Sequence, residues 1–213
     1  MRSALQKARE APSSTKARIL ATAEEVFAAK GLAGASTRSI AAKAGVNISS
    51  LHYHWESKET LYYAVFQNIY DRIVEVVRRS LPEQNARGKP RHDAVEMAMG
   101  TLFDFFADHP TIPKLLVRRL VENDTGAADI ERDILLPAWK VFAGWTRAYE
   151  RRKAKDVDAQ LFMLTVEAVV LFFLLDSRHS TALLGRSVRH PLLRKRVRSY
   201  IINLVPLLLG RSD

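Results

Sequence analysis

The chain has 213 residues, 47% of them apolar, which is enough to fill the core of one large or two small folded domains. Thirty-three lysines and arginines against 23 acidic residues give a net charge of +10, which favours a polyanionic partner, either nucleic acid or an acidic membrane surface. The absence of cysteine excludes disulfides, thiolate metal sites and cysteine redox chemistry, and fits a reducing, cytoplasmic setting.

Residues 1–13 are polar, small and mixed, with Pro12 near their end, and read as a flexible N-terminal arm without the apolar region of a signal peptide. From Ser14 the pattern turns helical. Ile19, Ala23, Val26 and Phe27 recur at amphipathic spacing and the run closes at Lys30 and Gly31. A second, short helix is predicted from Thr37 to Ala44, with Ser36 as N-cap, Ile40, Ala41 and Ala44 facing inward, and Gly45 at a left-handed end. Asn47 caps a third helix that ends near His54 or Trp55, with Val46 and Leu51 placed to form a hydrophobic staple. Ser57 caps a long fourth helix, with Glu59 in its first turn and Leu61, Val65 and Ile69 along its apolar stripe.

The polar, breaker-rich stretch from Pro82 to Arg91 reads as the boundary between head and body. Body helices are expected near 92–108, 112–123, 129–153, 157–183 and 190–209. Pro137 should kink the third of these or mark its start, and Pro206 should act likewise near the end. The apolar run from Leu161 to Leu175 is shorter than the roughly 20 residues that span a bilayer and carries Glu167, so it reads as a buried helix and no membrane is expected. The predicted class is all-α, with about nine helices. Its divisions are the arm (1–13), a helix-turn-helix head (14–60), a connecting helix and linker (61–90) and a helical body (91–213).

Two helices joined by a tight glycine-containing turn, the second one short and polar on one side, describe a helix-turn-helix, whose second helix enters the DNA major groove. With Leu51 pointing inward and about 100° per residue, Trp55 shares its side of the third helix and His54 lies at the flank. Ser49, Ser50, His52 and Tyr53 point away from the core, where they can reach phosphates and base edges. His52 and His54 lie about 200° apart on a helix and cannot share a metal ion, so no metal is expected. His54 is either a hydrogen-bonded flank residue or a phosphate contact.

The run TRSIAAKAGVNISSLHYHWESKETLYYAVF resembles the DNA-binding head of the TetR family of bacterial transcriptional regulators. The features that carry the resemblance are Phe27 with Gly31, Thr37-Arg38, Ile40-Ala41, Ala44-Gly45-Val46, Leu51, Tyr53-His54-Trp55, Ser57-Lys58-Glu59 and Leu61, over about residues 15–66. It implies DNA contacts from Thr37 and Arg38 and a phosphate contact from Lys58, and it completes a candidate set of Thr37, Arg38, Asn47, Ser49, Ser50, His52, Tyr53, His54 and Lys58. His52 stands where the family usually has tyrosine, and Ile48 where many members have a polar side chain, so no relative's operator can be transferred. The first 58 residues hold nine lysines or arginines and four glutamates, a net +5, so binding to double-stranded DNA should be steeply salt-dependent.

A recognition helix this short reads few base pairs, and a two-fold homodimer supplies a second one. The last two predicted helices are the expected interface, the run from Leu161 to Leu175 being apolar on more than one face and the final helix carrying Val197, Ile201, Leu204 and Leu208 on one side. The resemblance further implies a pocket for a small-molecule inducer among the body helices, with Phe103, Phe106, Leu116, Trp139, Phe142, Met163 and Glu167 as candidate lining residues. No catalytic signature and no cofactor motif is present, so an enzyme is not expected. The competing reading is a basic protein that coats DNA or a membrane surface without sequence preference and without an inducer.

Overall fold

The computed structural model of the chain describes residues 4–80, 94–122, 127–150, 159–175 and 178–208, which form helices and the turns between them, with no strand among the described residues. The helices are α1 (Ala4–Glu10), α2 (Thr15–Gly34), α3 (Thr37–Lys43), α4 (Ile48–His54), α5 (Lys58–Ser80), α6 (Ala94–Asp108), α7 (Thr111–Glu122), α8 (Ala127–Ile130), α9 (Leu136–Glu150), α10 (Ala159–Leu174), α11 (Arg178–Leu184) and α12 (Pro191–Leu208). Among the described residues no single helix is long and apolar enough to cross a membrane. The chain divides into two compact units that are not contiguous in sequence. One joins residues 1–72 to 114–136 and the other joins 73–113 to 137–213. The boundary expected at 82–91 lies outside the described residues.

In the first unit α2 is the central strut. Ile19, Ala23 and Phe27 are wholly buried, and the Phe27 ring meets Tyr62 of α5 edge-on at 4.9 Å. Ser14 caps the helix, its hydroxyl accepting from the Ala17 amide at 3.2 Å. Where the sequence predicted a stop at Gly31, the helix kinks and continues to Gly34. Gly31 takes φ 70° and ψ 179°, a backbone region open almost only to glycine.

The expected flexible arm is instead a helix. Leu5 and Ala8 of α1 are buried, and the Arg9 guanidinium reaches Asp71 at 2.6 Å and Asn68 at 3.0 Å on α5. Seven residues are too few for a helix to stand alone in water, so α1 exists because of this packing and the ion pair.

In the second unit α6, α10 and α12 pack together around Phe103, Val166, Val170, Val197 and Ile201. Arg194 of α12 bridges Asp104 at 3.0 Å and Asp108 at 2.6 Å on α6, and Arg198 reaches Asp104 at 2.7 Å. The Arg194 guanidinium holds the Asp108 carboxyl below the usual carboxylate range. Gly100 leaves room for the Arg198 guanidinium, which would lie 2.5 Å from a Cβ there.

The predicted helix 129–153 is α8, a π-helical turn (Glu131–Leu135) and α9. The π turn answers Pro137: the Leu136 amide bonds back to Glu131, five residues earlier, which widens the helix just where proline would crowd the carbonyl four residues before it. The predicted helix 157–183 is two segments, α10 and α11, bent by 83° where the apolar run gives way to a polar one.

Candidate nucleic-acid interface

The turn between α3 and α4 is built by local chemistry. Ser36 and Ser39 form a reciprocal capping box at the start of α3. At its end the Val46 amide bonds to the Ala41 carbonyl at 3.0 Å and the Gly45 amide to that of Ala42 at 3.2 Å, a Schellman closure with Gly45 at φ 66°. Asn47 then starts α4, its Oδ1 accepting from the Ser50 amide at 2.6 Å. Only two residues, Gly45 and Val46, separate the C-cap Ala44 from the N-cap Asn47 and so hold the axes of α3 and α4 in a fixed relation, and Ile40, Ala41 and Leu51 bury the inner side against α2.

This arrangement decides which residues of α4 meet solvent. Leu51 is 0% exposed and Trp55, just past the helix, 2%, whereas Tyr53 is 85% exposed. Ser49 and His52 are also exposed, Ser50 and His54 are half-buried, and Ile48 stands at 39% exposure. Thr37 and Arg38, half-buried and exposed, occupy the first turn of α3. The structure thus gathers Thr37, Arg38, Asn47, Ser49, Ser50, His52, Tyr53 and His54 onto α3, α4 and the turn between them. For Asn47 the carboxamide oxygen is already used in capping.

Lys58 departs from the reading as a phosphate grip. Its ammonium donates to the carbonyls of Leu32 at 2.8 Å and Ala35 at 3.3 Å, closing the end of α2 beyond the Gly31 kink. Carbonyls at a helix end have no partner within the helix, and a lysine there satisfies both the hydrogen bonds and the negative end of the dipole.

His54 lies with its ring 5.1 Å from that of Tyr53, and burial together with the nearby Lys16 ammonium holds its pKa below the usual histidine value. Lys16 lies over the Trp55 ring, 5.9 Å from the centroid. The Trp55 indole N–H is buried with no acceptor in hydrogen-bonding range.

The sequence reading missed three features. Lys7 and Arg9 were assigned to an arm, although Leu5 and Ala8 carry a helical spacing that could have signalled α1. The contact of Lys16 with Trp55 has no local signal, because the two residues come from different helices. Nor does the docking of Arg118 and Glu122 of α7 at the kink of α2. Arg118 pairs with Glu122 and donates to the Ala29 carbonyl at 3.2 Å, and the Glu122 carboxylate fills the space a Gly31 side chain would need.

The candidate ligand residues divide between the units. Leu116 belongs to the first, and Phe103, Phe106, Trp139, Phe142, Met163 and Glu167 to the second. Phe103, Phe106 and Leu116 are buried at 0%, 6% and 3% exposure and have little surface left for a ligand, while Trp139, Phe142, Met163 and Glu167 are half-buried. Among the described residues no group of three or more His, Asp or Glu could hold a metal ion.

Fold and site together define an all-helical protein with a helix-turn-helix head. Residues 19–65 match the family described as bacterial regulatory proteins, tetR family. Over 108 residues the chain is 29% identical to the uncharacterised HTH-type transcriptional regulator YerO of Bacillus subtilis, covering 51% of this chain and 36% of that protein. It spans well under half the length of the curated relatives it matches. SCO4942 of Streptomyces coelicolor, a candidate transcriptional regulator, superposes with a TM-score of 0.70 at 20% identity over 93% of this chain and all of that one. FadR from Bacillus subtilis, solved in complex with stearoyl-CoA, superposes with a TM-score of 0.66 at 14% identity over 92% of this chain and 98% of that one. Residues 19–65 thus carry a DNA-binding head of the tetR family type, and the chain as a whole shares the fold of these solved structures.

Proposed function

We propose that the protein is a cytoplasmic, dimeric transcriptional repressor that binds a double-stranded operator through α3 and α4 and leaves it when a small molecule binds the second unit. The observation that carries the DNA reading is the division of α4: Leu51 is fully buried, while Tyr53 is 85% exposed beside exposed His52 and Ser49. An aromatic ring presented on a short helix that follows a Schellman turn is costly to leave in water and suits a groove wall. Thr37, Arg38 and Ser50 complete the contact surface.

Dimerisation is supported by an apolar stripe on α10, where Leu161, Leu164 and Phe172 are 62%, 53% and 58% exposed at helical spacing, and by Tyr200 and Leu207 on α12 at 56% and 68%. The Phe173 ring lies 6.3 Å from Tyr200, so α10 and α12 present neighbouring apolar surfaces. Pairing these surfaces between two copies supplies the second recognition helix. Ligand response is supported by the half-buried Trp139, Phe142, Met163 and Glu167, and by the relative of the same fold that was solved with stearoyl-CoA. Acyl-CoA thioesters are therefore the first ligands to test.

The deciding experiment is a mobility shift on DNA from the region upstream of the protein's own gene, with and without excess random competitor, followed by addition of acyl-CoA. A shift that resists competitor and is released by ligand supports the full reading. A shift lost equally to any competitor leaves only a basic coat protein.

A further inference from the structure

Helix α1 is pinned from one side. Arg9 reaches Asp71, Asn68 and the Gln67 carbonyl, while Leu5 and Ala8 are buried. Lys7 and Arg9 are two residues apart, about 200° around a helix, so the pin that fixes Arg9 against α5 turns Lys7 to the opposite flank. Lys16 belongs to α2, the helix on which α1 packs, and is half-buried in its first turn with its ammonium above Trp55. Burial and then the charge of Lys7 lower the basicity of Lys16, and burial and then the charge of Lys16 lower that of His54. Lys16 thus stands between Lys7 and His54, close enough for its charge to be felt by each. Among the described residues neither Lys7 nor Lys16 forms an ion pair, whereas Arg9 and Lys43 of the same unit each have a carboxylate. Lys16 also sits at the positive end of the α2 dipole, a poor place for a cation unless an anion is bound. Like charges kept without a carboxylate disfavour one another, and an anionic ligand relieves this. His54 ends α4 and touches Tyr53, so the cluster is continuous with the surface proposed to meet the groove.

We infer that Lys7, Lys16 and His54 form a phosphate-binding patch, running from the end of α4 onto the two helices that precede the helix-turn-helix, that grips the DNA backbone flanking the groove read by α4. Helix α1 is the device that carries Lys7 to this patch. The inference rests on the operator reading above, and phosphate contacts of this kind add affinity without adding sequence information.

The test uses the full chain and a duplex that the wild-type protein enriches from a random-sequence pool. Affinity is measured by fluorescence anisotropy across a salt series for the wild type, Lys7→Gln and the Lys7→Gln/Lys16→Gln double variant. Each lost phosphate contact should lower the slope of log K against log salt by about 0.9. The double variant should then lose roughly tenfold less affinity than the wild type between about 50 and 200 mM salt. Its preference for the enriched duplex over a random one should be unchanged. An unchanged slope, or a changed sequence preference, overturns the patch while leaving the operator reading in place. A wild-type protein that enriches no duplex overturns both. Should the double variant fail to fold because Lys16 packs on Trp55, Lys7→Gln, at an exposed position, decides alone: a slope lower by about one supports the patch and an unchanged slope overturns it.

Discussion

The ammonium of Lys58 sits 2.8 Å from the carbonyl oxygen of Leu32, so the first residue of α5 closes the last turn of α2. Lys58→Ala should therefore destabilise the head by about 1–2 kcal/mol, the cost of leaving part-buried carbonyls without a charged donor. Thermal unfolding checks this. A variant of unchanged Tm whose DNA binding has a shallower salt dependence would return Lys58 to the phosphate role.

Gly31 is constrained twice, by its backbone and by its neighbour. At φ 70° and ψ 179° any side chain is strained, and the Glu122 carboxylate occupies the place of a Cβ. Gly31→Ala should cost at least about 2 kcal/mol. Adding Glu122→Ala should recover only part of the loss, because it removes the clash and leaves the backbone strain. Full recovery in denaturant titrations would show that the left-handed backbone contributes nothing.

Leu51 and Tyr53, two residues apart on α4, should behave in opposite ways. Leu51→Ala opens a cavity at a fully buried site and should cost about 2–5 kcal/mol. Tyr53→Ala should leave stability within about 0.5 kcal/mol and abolish specific DNA binding, since surface changes rarely affect the fold. Unfolding of Tyr53→Ala, or specific binding that survives it, contradicts the assigned rotation of α4.

Acid should weaken the head through His54. Its folded pKa lies below the ordinary value, first through burial and then through Lys16, so the unfolded chain takes up the proton more readily. The contribution is fully present above about pH 6.5 and is lost as pH falls below that value and through the lower folded pKa. His54→Gln should flatten the fall of Tm with acid, and Lys16→Gln should raise the imidazole pKa seen by NMR. An imidazole that titrates at or above the ordinary value would refute the assignment.

The helix-turn-helix was legible because its signals are local. Ser36, Gly45 and Asn47 cap and close their own helices through bonds spanning a few residues, and the spacing of Ile40, Leu51 and Trp55 names the inner side without reference to anything distant. The same holds for Pro137, whose missing donor announced a disturbance, although its form as a π turn depended on how the flanking helices pack.

What the sequence by itself determined is therefore the class: an all-helical chain, the register of α2 to α5, and the residues of α4 that turn away from the core. Only the tertiary structure decided that residues 4–10 are a helix, that Lys58 is spent on Leu32 and Ala35, and that Lys16 lies over Trp55. The physical reason is range. Caps and apolar periodicity act within one or two helical turns, whereas the Arg9 pin on Asp71, the seat of Glu122 over Gly31 and the stacking of Lys16 on Trp55 join residues 39 to 91 positions apart, and only the folded chain brings them into contact.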